Sequence, residues 1–206
     1  MTGPFGIPQI TSYLTQMCLK MAHVDYEREI VELAFHGSHG QWRMIVGFQQ
    51  QGEARKLMLI APHIGTVTTK RRLECLEALM SVNYRIAVGK FGIDLDDGEV
   101  RLEEAIPLGL HSITFEQFQL AFGALMQTVA IYHSLLPRIV YGNLSVLEAL
   151  SACEQEFAQQ AGEEKRPQTE PLVNTSQELS AERGQKDIDL NDVLAEVKRI
   201  FEENKD

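Results

Sequence analysis

The amino-acid pattern predicts an α+β fold in the order α-β-β-β-α-β-β-α-α. Three observations lead there. The apolar period changes from helical to two at Glu29, alternating segments on either side of turn residues read as hairpins, and two Ser/Thr-x-x-Glu/Gln capping boxes open long apolar-periodic runs.

Along the chain, a Gly/Pro-rich lead gives way at Pro8 to Ile10, Leu14, Met17 and Met21, the stripe of a first helix of three to four turns. Val31, Leu33 and Phe35 then alternate with polar or small residues. After Gly37-Ser38-His39-Gly40, Trp42, Met44, Val46 and Phe48 do the same, giving a hairpin with one buried face on which Trp42 is expected in the core. A third strand over residues 56–61 is expected to stop at Pro62. The second helix covers residues 70–82 with Leu73, Leu76, Leu79 and Met80 as its apolar stripe. Phe91, Ile93 and Leu95 face Val100 and Leu102 across Asp97-Gly98, a dipeptide suited to positive φ. Thr114 with Gln117 caps a long helix through Phe118, Phe122, Leu125, Val129 and Leu136, ended or kinked by Pro137. Ser145 with Glu148 caps another, to about residue 160.

Residues 162–186 hold few apolar side chains, too few to offset the entropy of ordering them, and read as a flexible linker between a domain at 1–161 and a last helix at 187–206. Leu190, Val193, Leu194, Val197, Ile200 and Phe201 form one stripe of that helix, and Asp187 or Asp189 can cap it. These six residues are the candidate partner-binding set. The helix carries seven acids against three bases, which suits it poorly to a membrane surface.

The formal net charge of -10 argues against nucleic acid as a partner, because phosphate binding needs clustered Lys and Arg. Lys70-Arg71-Arg72, the one basic run, reads as a solvated first turn. No stretch approaches the roughly 20 apolar residues of a membrane span, and the N-terminus lacks a signal-peptide pattern, so integral membrane association is not expected and a cytoplasmic location is. Cys18, Cys75 and Cys153 are widely spaced in apolar helical surroundings and read as buried free thiols in a reducing compartment.

The acidic run Asp94, Asp96, Asp97, Glu99, Glu103 and Glu104 raises the question of an active site. An EF-hand reading from Asp94 fails, since position 6 is Glu99 and position 12 is Ala105. Strand phase puts most of these acids on the wet side of a sheet. Glu104 falls instead in the phase of Val100, Leu102 and Ile106, so it either faces the core or is turned outward by a bulge before Pro107, and the bulge is expected because an unpaired buried carboxylate is costly. His36 and His39 flank a turn; two imidazoles need a third ligand to hold a metal. With no phosphate loop, nucleophile elbow or H-E-x-x-H, no cofactor, metal or catalytic residue is assigned.

The runs NYRIAVGKFGIDLDDGEVRLEEAIPL and ITFEQFQLAFGALMQTVAIYHSLLPRI resemble the YbjN family of bacterial proteins, over roughly residues 8–142. The resemblance implies a fold similar to type III secretion chaperones, with a strongly curved antiparallel sheet and flanking helices. It also implies a role in sensory-transduction regulation and supplies no catalytic residues. The spacing E-E-A-I-P is one residue longer than the family's usual E-x-P ending, consistent with a bulge near Glu104.

The expected function is a non-enzymatic protein-interaction module, chaperone-like or regulatory, that takes a partner segment on its sheet or helix surface. The C-terminal helix docks on another protein, occupies the domain's own groove, or packs permanently on its core; sequence leaves the three open. Two alternatives stand beside this reading: a small metal-binding sensor or enzyme using His36, His39 and a carboxylate such as Glu104, and a structural homo-oligomer, such as a homodimer.

Overall fold

The computed structural model describes residues 5–37, 40–109 and 112–163. Its elements are α1 (Ile7–Gln16), β1 (Met21–Asp25), β2 (Ile30–Gly37), β3 (Gly40–Gln51), β4 (Ala54–Thr66), α2 (Arg72–Arg85), β5 (Lys90–Ile93), β6 (Glu99–Leu108), α3 (Phe115–Tyr132), α4 (Leu135–Val140) and α5 (Val146–Glu163). The six strands form one sheet in the order β1-β2-β3-β4-β6-β5 with every pairing antiparallel. The α+β class and both expected hairpins are therefore present.

Strand alternation puts Val31, Leu33, Met44, Val46, Leu57, Leu59, Val100 and Leu102 on one face, where they meet Ile10 and Leu14 of α1 and Phe118, Phe122, Leu125 and Val129 of α3 in a single core. Both capping boxes form: the Gln117 N–H donates to Thr114 Oγ1 at 3.2 Å, and the Ser145 N–H donates to Glu148 Oε2 at 2.9 Å. Trp42 lies at the edge of the core rather than inside it, half-buried and stacked on its cross-strand partner Phe35 with centroids 4.5 Å apart.

Several local expectations need correction. The first helix ends at Gln16, and Met21 opens an extra strand, β1. The stop is a Schellman-type closure in which Cys18 takes φ 57° and the Leu19 N–H reaches the Leu14 carbonyl at 2.9 Å. That turn also leaves Cys18 exposed, unlike the buried Cys75 and Cys153. Pro62 does not stop β4, because it sits where the β4–β6 register slips between Ala61 and Gly65, a bulge that needs no N–H from it.

In α2 the inward residues are Cys75, Ala78, Leu79 and Val82, whereas Leu73 and Met80 point to solvent. Leu95 is likewise exposed, since β5 ends at Ile93. Around Glu104 the β4–β6 ladder runs unbroken from Leu102 to Leu108, so there is no bulge there. Finally, the break expected at Pro137 falls earlier, between Tyr132 and Leu135. Pro137 itself occupies the first turn of α4, where a missing N–H costs nothing.

Candidate interaction surfaces

The unequal lengths of the last two strands create the first surface. β5 pairs with β6 only from Val100 to Glu103, while β4 flanks β6 on its other side as far as Leu108. The Asp94 N–H donates to the Glu99 carbonyl at 2.9 Å, so odd-numbered residues of β6 turn their backbone groups toward the β5 side. Beyond Glu103 this leaves the N–H and C=O of Ala105 and the C=O of Pro107 without a strand partner among the described residues. Pro107 has no N–H to strand there, which is why a proline is tolerated at an edge.

That open edge faces a groove of about 360 Å³ between β6 and the N-terminal half of α3. Ile106, Leu108, Ile113, Leu120 and Ala121 give it apolar walls, and Gln117 and Ser112 add polar groups. Tyr13 fixes the loop that carries Ile113, donating its hydroxyl to the Ile113 carbonyl at 3.0 Å while its ring packs against Phe115 and Phe118. Near the groove's inner end, Glu104 Oε2 accepts the Gly89 N–H at 2.5 Å.

The second surface is the outer face of α2. Leu73, Met80 and Tyr84 are 79%, 67% and 93% exposed, and at 100° per residue they fall on one stripe together with Glu77. Large apolar side chains repeated on one solvent face mark a contact surface more than scattered ones do. The helix is held firmly at both ends. Arg71 donates to the Ile139 carbonyl at 2.7 Å and to Asn143 Oδ1 at 3.2 Å, tying its start to α4. At its other end Arg85 meets Glu154 of α5 at 2.5 Å. Glu154 also accepts the Tyr132 hydroxyl at 3.0 Å, and burial with this carboxylate raises the Tyr132 pKa to about 12, so the phenol stays a donor. Sequence periodicity misses this surface because α2 is apolar on two faces, and no local signal tells the exposed stripe through Leu73 and Met80 from the buried one through Cys75 and Val82.

The carboxylates of the acidic hairpin are taken up by its own loop and by neighbouring strand residues. Asp94 Oδ1 accepts the Asp96 N–H at 2.9 Å, and Asp97 Oδ1 accepts the Glu99 N–H at 2.8 Å. Glu99 Oε1 takes the His63 N–H at 3.0 Å and lies 3.1 Å from His63 Nδ1. Glu103 pairs with Arg101 at 2.9 Å.

Of the alternative metal set, His36 is an exposed residue of β2 and Glu104 lies on β6, with β3 and β4 between them; His39 is outside the described residues. At roughly 4.8 Å per strand the two described members are far beyond shared coordination. Among the described residues no three His, Cys, Asp or Glu side chains converge as a metal ion would require. The candidate partner-binding residues Leu190, Val193, Leu194, Val197, Ile200 and Phe201 lie outside the described residues, as does all of the expected linker but residues 162 and 163.

Fold and surfaces together define an α+β domain with an open sheet edge over an apolar groove and an apolar helix face. Over residues 8–133 the sequence matches the YbjN family, described as "Putative bacterial sensory transduction regulator", and the chain belongs to that family. Similar solved structures include a chain of the ExsC–ExsE complex, at 19% identity and a TM-score of 0.45, and YbjN of E. coli, at 14% and 0.41. Each similarity covers 63% of this chain and 92% of the other. No curated protein matches the chain at a significant level.

Proposed function

We propose that this chain is a non-enzymatic protein-interaction module, regulatory or chaperone-like, that captures an extended partner segment along the open edge of β6. The observation that carries this reading is the juxtaposition of unpaired backbone groups at Ala105 and Pro107 with the apolar groove beside them. An added strand draws affinity from main-chain hydrogen bonds and specificity from pockets that take alternate side chains. A groove of about 360 Å³ holds a few such side chains. The partner segment is therefore apolar at the alternate positions that enter the groove. Family membership supports a regulatory setting. In this reading the tail residues Leu190, Val193, Leu194, Val197, Ile200 and Phe201 are a second binding element.

Quantitative affinity capture from native extract with full-length chains tests the proposal. Leu120 is partly exposed, so Leu120→Asp leaves the fold intact while charging the groove. A partner retained by the wild type and lost with Leu120→Asp supports the groove. Retention of the same partner by Leu120→Asp, with loss in Leu194→Asp, moves recognition to the tail.

A further inference from the structure

The exposed stripe of α2 is a large apolar face without a cover among the described residues, and the same chain carries a segment whose chemistry matches it. We propose that the C-terminal helix docks antiparallel on α2, with Leu190, Leu194, Val197 and Phe201 laid over Leu73, Met80 and Tyr84, so that the tail is the resident occupant of this face.

Spacing is the first argument. Leu73, Met80 and Tyr84 are separated by seven and four residues, and so are Leu190, Val197 and Phe201, with Leu194 filling the position that Glu77 holds in α2. Each stripe spans twelve residues, about 16 Å of helix from end to end. Two faces of equal length with this repeat pack as knobs into holes near a shallow crossing angle.

Helix dipoles set the direction, and charge is compatible with it. With Leu73 opposite Phe201 and Tyr84 opposite Leu190, Lys70 and Arg72 at the start of α2 come to Glu202 and Glu203. Neither Lys70 nor Arg72 has an ion pair among the described residues. In the same register Glu77 lies opposite Val197, one residue from Lys198. Antiparallel macrodipoles favour this direction. A second copy of α2 is a poorer occupant, since an antiparallel α2 pair brings Arg72 toward Arg85 and leaves Glu77 without a cation.

The connection permits it. α5 already touches α2 through Arg85 and Glu154, nine residues before Glu163, and 26 further residues separate Glu163 from Leu190. At roughly 3.3 Å per residue they reach about 80 Å, ample for a return to α2. Such a tether keeps the tail at an effective concentration on the order of millimolar, so a modest intrinsic affinity suffices.

Disulfide trapping in the full chain, in a Cys18→Ser background, tests the docking. Tyr84→Cys with Leu190→Cys is expected to cross-link within one chain at least about tenfold faster than Tyr26→Cys with Leu190→Cys, a control on the exposed β1–β2 turn. Leu194→Asp is expected to bring the rate down to that of the control. In a separate cysteine-paired set, Glu77→Lys is expected to slow trapping and Lys198→Glu to restore it. Trapping no faster than the control overturns the docking. Faster trapping of Leu73→Cys with Leu190→Cys overturns the direction, and cross-linked dimers assign the tail to a second copy. Each outcome is read on α2 and the tail, so none depends on the groove at β6.

Discussion

Glu104 accepts the backbone N–H of Gly89 through Oε2 at 2.5 Å, at the point where β5 stops pairing with β6. The residue stands in the core-facing phase of its strand, half-buried, and its carboxylate satisfies the N–H of the buried Gly89. A bond between a carboxylate and a buried segment's N–H is charge-assisted. Glu104→Ala strips Gly89 of its acceptor and is expected to cost about 1–3 kcal/mol in urea unfolding. Glu104→Gln keeps an acceptor oxygen and is expected to lose roughly half as much. Equal stability of Glu104→Ala and wild type would show that water replaces the bond without cost.

Gly52 and Gly98 both take positive φ, 60° and 79°, yet their surroundings differ. A Cβ at Gly52 meets nothing within 4 Å, while one at Gly98 comes to 2.4 Å from the Val67 carbonyl oxygen, which is rigid backbone between β4 and α2. Gly52→Ala is therefore expected to cost about 1–2 kcal/mol from conformation alone. Gly98→Ala adds a clash worth roughly 1–3 kcal/mol more. Thermal melts of the two variants check the order; a larger loss at Gly52 would contradict the packing around the second hairpin.

The sequence made most of the fold legible because strand alternation and capping boxes are local signals. The hairpins at Gly37–Gly40 and Asp97–Gly98 and the caps at Thr114 and Ser145 need only a few neighbouring residues to be read. What escaped depends on contacts far along the chain or on residues acting out of type. Cys18 closes α1 in the left-handed region that usually signals itself with Gly, so β1 stayed hidden inside an over-long helix. Pro62 reads as a terminator until the bulge opposite β6 is known. The face of α2 that turns inward is decided by α4 and α5 through Arg71 and Arg85, and nothing within α2 itself distinguishes it. The groove at β6 exists only because β5 is short, which is a relation between two strands rather than a motif.

The thiols provide a direct check on the end of α1. Burial raises the pKa of Cys75 and of Cys153, and both side chains lie in the core, so neither is reactive at neutral pH. Cys18 is exposed. Titration of the native protein with a thiol reagent is expected to modify Cys18 alone at once, with Cys75 and Cys153 following on denaturation. Prompt labelling of a second cysteine would place α2 or α5 off the core.

Acid should weaken the fold in a defined window. Asp25 is held below its ordinary pKa of 3.8 chiefly by the Arg28 backbone N–H. Glu74 and Glu116 are held below 4.5 chiefly by their own backbone N–H groups at helix starts, and Glu148 by the Ser145 hydroxyl. A depressed pKa means that the folded chain binds fewer protons than the unfolded one as these groups titrate. Their contribution is complete above about pH 5 and is lost as pH falls through the folded values, so chemical-denaturation midpoints are expected to be flat between pH 6 and 5 and to decline below about 4.5. Glu116→Gln combined with Glu148→Gln removes two of the four groups and is expected to shallow that decline by lowering the midpoint at pH 7 toward its acid value, with little change at low pH. These carboxylates are solvent-exposed and salt weakens their attraction to the helix starts, so the decline should also shallow at 1 M salt. An unchanged acid slope in the double variant would show that the helix-start carboxylates do not link folding to protonation.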